Sequence, residues 1–171
     1  MARVLFVCTG NICRSPMAEG LFRHKTAGNS AMEVLSAGVG AMDGQAPSQH
    51  SVTACKELGI DITAQRSRSL TPELVAEADF IFGMTRGHIE AITMMFPHAA
   101  EKTFLVREFD ENLEFFEKDV AIPSVARWRS TGFVGTRSWP VSTACWRSLP
   151  IPNPAAVCGR SPSVPITAAS S

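Results

Sequence analysis

The chain has 171 residues, 45% of them hydrophobic, and a formal net charge of zero, which suits one domain with a sizeable core and gives no bulk electrostatic reason to expect a nucleic-acid or membrane partner. Its five cysteines are irregularly spaced, no apolar run reaches membrane-spanning length, and Ala2 and Arg3 lead straight into a strand without a secretory h-region, so a cytoplasmic protein is expected. The neutral total conceals a split. Up to Asp119 there are eleven Lys and Arg against all sixteen Asp and Glu, a net −5, and the remainder holds five Arg, no acid, all three Trp and seven of the eleven Pro. Such a change of composition marks a boundary.

Arg3 to Val7 is β-branched and aromatic and predicts the first strand. It breaks at the Gly-containing segment Cys8–Ser15, and Ser15 to about Lys25 follows as a helix with Met17, Leu21 and Phe22 on one face. Glu33 to Leu35 reads as a short strand ending in Ser36-Ala37-Gly38. Gln45 to Leu58 reads as a second helix, with Pro47 in its first turn and Gly59 closing it. Thr71 and Pro72 have the chemistry of an N-cap and first helical position. Asp79 to Met84 predicts a strand, Arg86 to Phe96 a helix closed by Pro97, Lys102 to Val106 the last strand, and Glu108 to Lys118 a helix or loop. Strands alternating with helices predict an α/β fold with a parallel sheet covered on both faces. From Ile122 to Ser171 no sustained period survives, and this stretch reads as an irregular, disordered tail. The expected division is an α/β domain over 1–120 and an anomalous Pro-, Arg- and Ser-rich segment over 121–171.

The segment Cys8-Thr9-Gly10-Asn11-Ile12-Cys13-Arg14-Ser15 carries the chemistry. A strand–loop–helix turn directs backbone N–H groups and a helix N-terminus into one concavity, which is an anion site. The same positive field favours the thiolate of Cys8 at the loop's mouth. Arg14, six residues on, offers a planar fork of donors to phosphate oxygens. Thiol, amide cradle (Thr9 to Ser15) and guanidinium thus converge on one tetrahedral anion, as a covalent phosphatase requires. Cys13 lies across the loop from Cys8, where it can form a reversible disulfide that shields the nucleophile or simply be a small buried side chain. The four histidines show no metal spacing with cysteine or with each other, so neither metal nor cofactor is expected.

The stretch Val4–Glu19 closely resembles the low-molecular-weight protein tyrosine phosphatases, a family that also holds bacterial protein arginine phosphatases and thioredoxin-coupled arsenate reductases. The likeness continues through Ser36-Ala37-Gly38, Gly59-Ile60-Asp61, Ser67-Arg68-Ser69-Leu70-Thr71 and Ala78-Asp79-Phe80-Ile81, and then stops. It implies a three-layer, four-stranded, flavodoxin-like fold with the site at the carboxyl end of the first strand. It also implies a phosphorylated protein or small aryl phosphate as substrate, inorganic phosphate as product, and catalysis by Cys8, Arg14 and Ser15. Cys8 would attack phosphorus, Arg14 bind the equatorial oxygens, and Ser15 donate to the thiolate or cap the helix. Asn11 would take a left-handed conformation with Ser36 bonding to it. Ile12, branched and apolar, favours an aromatic leaving group over a guanidinium, which tilts the substrate from phosphoarginine toward phosphotyrosine. Arsenate reduction needs a further cysteine pair, and Asp79 to Pro97 has none. The chain also lacks any Tyr, and so the paired tyrosines that some members place beside the site.

One family feature is missing. An Asp-Pro pair, whose Asp is the general acid, should follow Lys118-Asp119-Val120-Ala121, but Ile122-Pro123 stands there. Ala121 through Arg129 can be written GCG ATC CCT TCG GTG GCT CGC TGG AGG. One base inserted into the Ala codon turns the text after it into GAT CCC TTC GGT GGC TCG CTG GAG, which spells Asp-Pro-Phe-Gly-Gly-Ser-Leu-Glu. The hypothesis is a frameshift at about Ala121, which also accounts for the absent acids and clustered tryptophans downstream. An impaired phosphatase follows, or else a catalytically dead phosphate- or phosphopeptide-binding module. Sequencing the encoding DNA checks the frameshift: the expected codons permit the shifted reading, and codons incompatible with it would remove the hypothesis.

Overall fold

The computed structural model describes residues 1–27, 31–108 and 119–120. Strand β1 is Ala2–Cys8, helix α1 Arg14–Lys25, β2 Met32–Gly38, α2 Gln49–Glu57, α3 Pro72–Glu77, β3 Phe80–Gly83, α4 Arg86–Met95 and β4 Thr103–Leu105. A 3-10 helix, Pro97–Lys102, joins α4 to β4. The four strands are parallel, in the order β2-β1-β3-β4.

The run Val4–Val7 is buried on both sides because β1 is central, and its alternation divides the core into two layers. Val4, Phe6 and Cys8 pack with Ala18 and Phe22 of α1, Val34 of β2 and Phe82 of β3. Leu5 and Val7 face the other way, onto Val75 of α3 and Ile92 of α4. The result is the three-layer α/β arrangement expected of the sequence. Phe6 sits edge-on to Phe22 at 5.8 Å and stacked on Phe82 at 5.7 Å, so one aromatic cluster seats α1 against β1 and β3. Burial of each such side chain contributes about 1.5–3 kcal/mol.

Several boundaries differ from expectation, each for a local reason. Helix α2 begins at Gln49, because the Ser48 hydroxyl accepts the Ser51 N–H and caps it; Pro47 therefore precedes the helix. Strand β2 runs on through Ser36, Ala37 and Gly38, which pair with Phe6, Val7 and Cys8. Met17, Leu21 and Phe22 do not share one face. Phe22 looks to the sheet, whereas Met17 and Leu21 meet Ala54, Cys55, Ile60 and Ile62, so α1 is sandwiched between the sheet and α2 with its following turn. Thr71 accepts from Leu74 N at 3.3 Å with Pro72 at the first helical position, and Gly59 takes φ 73 after α2. The expected element at 109–118 and the tail at 121–171 lie outside the described residues.

The sandwiching of α1 explains Gly20. A Cβ there would meet Ile62 Cγ2 at 2.5 Å and Ile60 Cγ2 at 3.3 Å. Both contacts are stiff β-branched methyls. Helix propensity alone predicts that Gly20→Ala stabilises the protein by about 1 kcal/mol. The packing predicts instead a net destabilisation of about 1–2 kcal/mol, since overpacking costs about 1–3 kcal/mol. Urea unfolding distinguishes the two by sign.

Candidate active site

The loop between β1 and α1 turns at Asn11, which adopts φ 52 and is the one non-glycine residue at positive φ among the described residues. Asparagine tolerates this conformation because its short amide can bond locally. The loop's carbonyls are tied to the scaffold: Cys8 O accepts from Val39 N, Thr9 O from Gly40 N, Ile12 O from Ser48 N and Cys13 O from Met17 N. In a trans peptide the N–H of the next residue points opposite to the carbonyl. Holding these carbonyls outward therefore turns the N–H groups of Thr9, Gly10, Cys13 and Arg14 toward the loop's interior. This is the geometry of an anion cradle.

Cys8 ends β1, 2% exposed, with its sulfur at the base of the loop. Ser15 Oγ lies 2.9 Å from Cys8 Sγ, and Asn11 N–H donates to the same sulfur at 3.3 Å. The Asn11 side chain donates through Nδ2 to Ser15 Oγ and to Ser36 Oγ, both at 2.9 Å, and accepts the Arg68 N–H on Oδ1 at 2.8 Å. Gly38 closes the cradle from behind: a Cβ there would stand 2.4 Å from Thr9 O and 2.9 Å from Asn11 N, so only glycine allows this approach.

Arg14 is the first residue of α1 and is buried; its Nη1 donates to Val120 O at 3.2 Å. The Val120 N–H in turn donates to Met84 O at 2.7 Å. Ser15 does not cap α1. The helix starts one residue earlier than expected, Cys13 occupies the cap position, and the Ser15 hydroxyl faces Cys8. Cys13 Sγ donates to Ser48 Oγ at 3.3 Å, and Cys8, Cys13 and Cys55 are all free thiols. Cys55 lies in the core between α1 and α2, where burial pushes its thiol up to about 11. The other two cysteines, Cys145 and Cys158, lie outside the described residues.

His88, which shows no metal spacing in the sequence, is a further residue the fold brings to the loop. It is buried in α4, with Nε2 3.0 Å from Thr9 Oγ1 and Nδ1 2.7 Å from Thr85 Oγ1. The one signal available was its position three residues after Thr85, at the start of a helix. Asp119 takes the place a capping side chain would have at α4: its Oδ1 accepts from Arg86 N at 3.0 Å, where a negative charge meets the positive helix end.

A thiol at the foot of an amide-lined loop, with a guanidinium on its rim, defines the class of cysteine-dependent phosphomonoester hydrolases. Over residues 3–133 the chain matches the family model described as low molecular weight phosphotyrosine protein phosphatase, and it belongs to that family. A protein-arginine-phosphatase of Geobacillus stearothermophilus is 45% identical over 107 residues, 63% of this chain and 70% of that one. A probable low molecular weight protein-tyrosine-phosphatase, EpsP of Ralstonia nicotianae, is 38% identical over 108 residues, 63% of this chain and 72% of the relative. Among solved structures, the YwlE arginine phosphatase from Geobacillus stearothermophilus superposes with a TM-score of 0.64 at 41% identity, covering 71% of this chain and 75% of that one. The low molecular weight protein tyrosine phosphatase from T. tengcongensis gives 0.66 at 42%, covering 73% and 84%. A YwlE arginine phosphatase variant with a phosphorylated active-site serine gives 0.63 at 35%, covering 70% and 76%.

Burial pushes the His88 imidazole down to about 4, with the nearby Arg14 charge acting in the same direction and Asp119 against it. Between about pH 6.5 and 4 the unfolded chain therefore binds a proton that the folded chain refuses. Stability is full above the unfolded value and falls as pH drops through this window, by up to about 3 kcal/mol. Replacing His88 by Gln should remove that part of the acid sensitivity. Urea titrations at pH 7 and pH 5 on both proteins check it, and an unchanged difference between the two pH values would refute it.

Proposed function

We propose that the chain is a phosphoprotein phosphatase that works through a cysteinyl-phosphate on Cys8, with phosphotyrosine favoured over phosphoarginine. The observation that carries this reading is the convergence of the Ser15 hydroxyl and the Asn11 N–H on one buried sulfur at the base of an amide-lined loop. The Cys8 thiolate attacks phosphorus as the bond from phosphorus to the leaving oxygen breaks, and that oxygen departs with the electron pair and takes up a proton. Water then cleaves the phosphorus–sulfur bond, regenerates the thiolate and releases inorganic phosphate. The inward amides of Thr9, Gly10, Cys13 and Arg14 and the Arg14 guanidinium carry the charge on the equatorial oxygens. Ser36 supports the loop through Asn11. Both tyrosine and arginine phosphatases stand among the relatives, and the branched apolar Ile12 is what favours an aromatic leaving group here.

The proton for the leaving group is the weak point. Asp119 is drawn to the N-terminus of α4 and stands three residues before the family's acid, and no acid follows it. A frameshift near Ala121, leaving a phosphatase unit over 1–120, accounts for this loss and for the fact that the alignment to the Geobacillus relative leaves part of both chains unmatched. That absence also favours one second reading, a phosphate- or phosphopeptide-binding module without turnover.

An aryl phosphate burst separates the two. A phosphatase releases phenol and retains phosphate on Cys8 in the first turnover, and Cys8→Ser abolishes it; a binder shows no burst in either form. Persistence of hydrolysis in Cys8→Ser would overturn the nucleophile assignment. General acid catalysis contributes about 10²–10⁴-fold in rate. The chain should therefore lose activity on alkyl phosphates by about that factor relative to one carrying the restored Asp-Pro loop, and much less on activated aryl phosphates. Equal leaving-group slopes for the two chains would show that another group supplies the proton.

A further inference from the structure

Behind the phosphate loop, the buried polar atoms form a series of hydrogen bonds with a single direction. Glu19 lies in α1, 5% exposed, its carboxylate paired through Oε1 with Arg23 at 2.5 Å. A carboxylate only accepts. Its Oε2 is 2.6 Å from Ser36 Oγ, so the Ser36 hydrogen goes to Glu19 and the Ser36 lone pairs are left for Asn11 Nδ2. The orientation of the Asn11 amide agrees independently, since its Oδ1 accepts the Arg68 N–H and the Nδ2 end must therefore face the two serines. One Nδ2 hydrogen goes to Ser36 and the other to Ser15. Ser15 Oγ, having accepted there, has its own hydrogen left to give, and Cys8 Sγ at 2.9 Å is a nearer acceptor than Ala37 O at 3.4 Å.

We propose that Glu19 is a positioning residue that sets the direction of this relay, so that the Ser15 hydrogen is held on the Cys8 sulfur and the thiolate is favoured. The inference deepens the phosphatase reading and rests on Cys8 as its nucleophile. It also carries a sign that a plain charge effect does not. A carboxylate acting only through its charge opposes a second negative charge nearby, so its removal would make the thiolate easier to form. A carboxylate acting through the relay supports the thiolate, and its removal makes it harder to form.

Two variants in the full chain distinguish these. Glu19→Met removes charge and acceptor at similar volume, whereas Glu19→Gln removes the charge but keeps a carbonyl that can accept from Ser36. The readout is the pH dependence of iodoacetamide alkylation at Cys8, followed by mass spectrometry of its peptide. The relay predicts that Glu19→Met moves the profile to higher pH and slows alkylation near pH 6 by roughly three- to tenfold, the scale of one weakened charge-assisted hydrogen bond. Glu19→Gln should stay closer to the parent. In a Ser36→Ala background, where the link is already cut, Glu19→Met should add little. A profile that is unmoved or shifts to lower pH in Glu19→Met, equal shifts in the Met and Gln variants, or an undiminished shift in the Ser36→Ala background would each overturn the proposal. Should Glu19→Met fail to fold, Ser36→Ala alone must move the profile upward, and its failure to do so has the same force. Hydrolysis surviving in Cys8→Ser would bring down the phosphatase reading itself, a separate result from an alkylation profile indifferent to Glu19.

Discussion

The site depends on the backbone of Asn11 being turned into the left-handed region. At φ 52 the chain reverses over a single residue, which brings the Asn11 N–H back onto the sulfur of Cys8 three residues earlier. The same turn drives its side chain inward, where the amide bonds Ser15 of the following helix, Ser36 of the neighbouring strand and the Arg68 N–H of a distant loop. A residue that costs energy in its backbone conformation is thus over-determined by four hydrogen bonds, the condition under which strain persists in a folded protein. Glycine would permit the turn and lose all three side-chain bonds. Aspartate would keep the shape but offer no donor to either serine.

What holds these partners at bonding distance is the sheet. The parallel register pairs Cys8 with Gly38 and Phe6 with Ser36, so the supporting serine arrives on the strand beside the nucleophile's own, two residues short of its end. On the other side of β1, Val7 pairs with Gly83, which leads through Met84 into α4 and brings His88 up to Thr9. The strand order reverses at β1: α1 carries the chain from β1 to β2 on one side, and α3 returns it past β1 to β3 on the other. Such switch points are where open α/β sheets bind ligands. The aromatic cluster of Phe6, Phe22 and Phe82 fixes α1 against this sheet, and with it the positions of Arg14, Ser15 and Glu19.

The parts of the fold set by local chemistry were legible in the sequence. A β-branched run at Val4–Val7, an N-cap and proline at Thr71-Pro72, and a glycine at 59 each announce their conformation within a few residues. The loop was legible too, since a thiol, a glycine, an asparagine and an arginine at fixed spacing serve little else. Distant partners were not. His88 shows no periodic signal that points to Thr9, 79 residues away, and the Ser36–Glu19 bond depends on the register of β2 against β1. Phe22 and Met17 both read as core, but which layer each joins follows from where α2 packs. Local rules name the members of a core without assigning them to a face once a helix is buried on two sides.

Val120 shows how a scaffold can keep its geometry apart from the chemistry that geometry serves. Its N–H is donated to Met84 O, just past β3, and its carbonyl accepts from Arg14, so one peptide segment is clamped between the sheet and the Arg14 guanidinium. Both contacts use main-chain atoms. They hold whatever side chains the segment carries, and a change in the reading frame beyond Ala121 leaves them untouched. Asp119, one residue earlier, is turned instead toward the N-terminus of α4, where the helix dipole and the Arg86 N–H occupy its carboxylate. Asp119 is thus committed to a structural bond, while the main chain of Val120 is fixed by its own N–H and carbonyl. The proposed phosphate cradle is the loop, built from residues 8 to 15 and their supports on β2 and α1. In the proposed mechanism, the proton for the leaving group would come from side chains past Val120. On that proposal the two functions rest on physically separate segments, so a chain that loses the second would keep its thiol and anion cradle, both built from residues 8 to 15 and their supports.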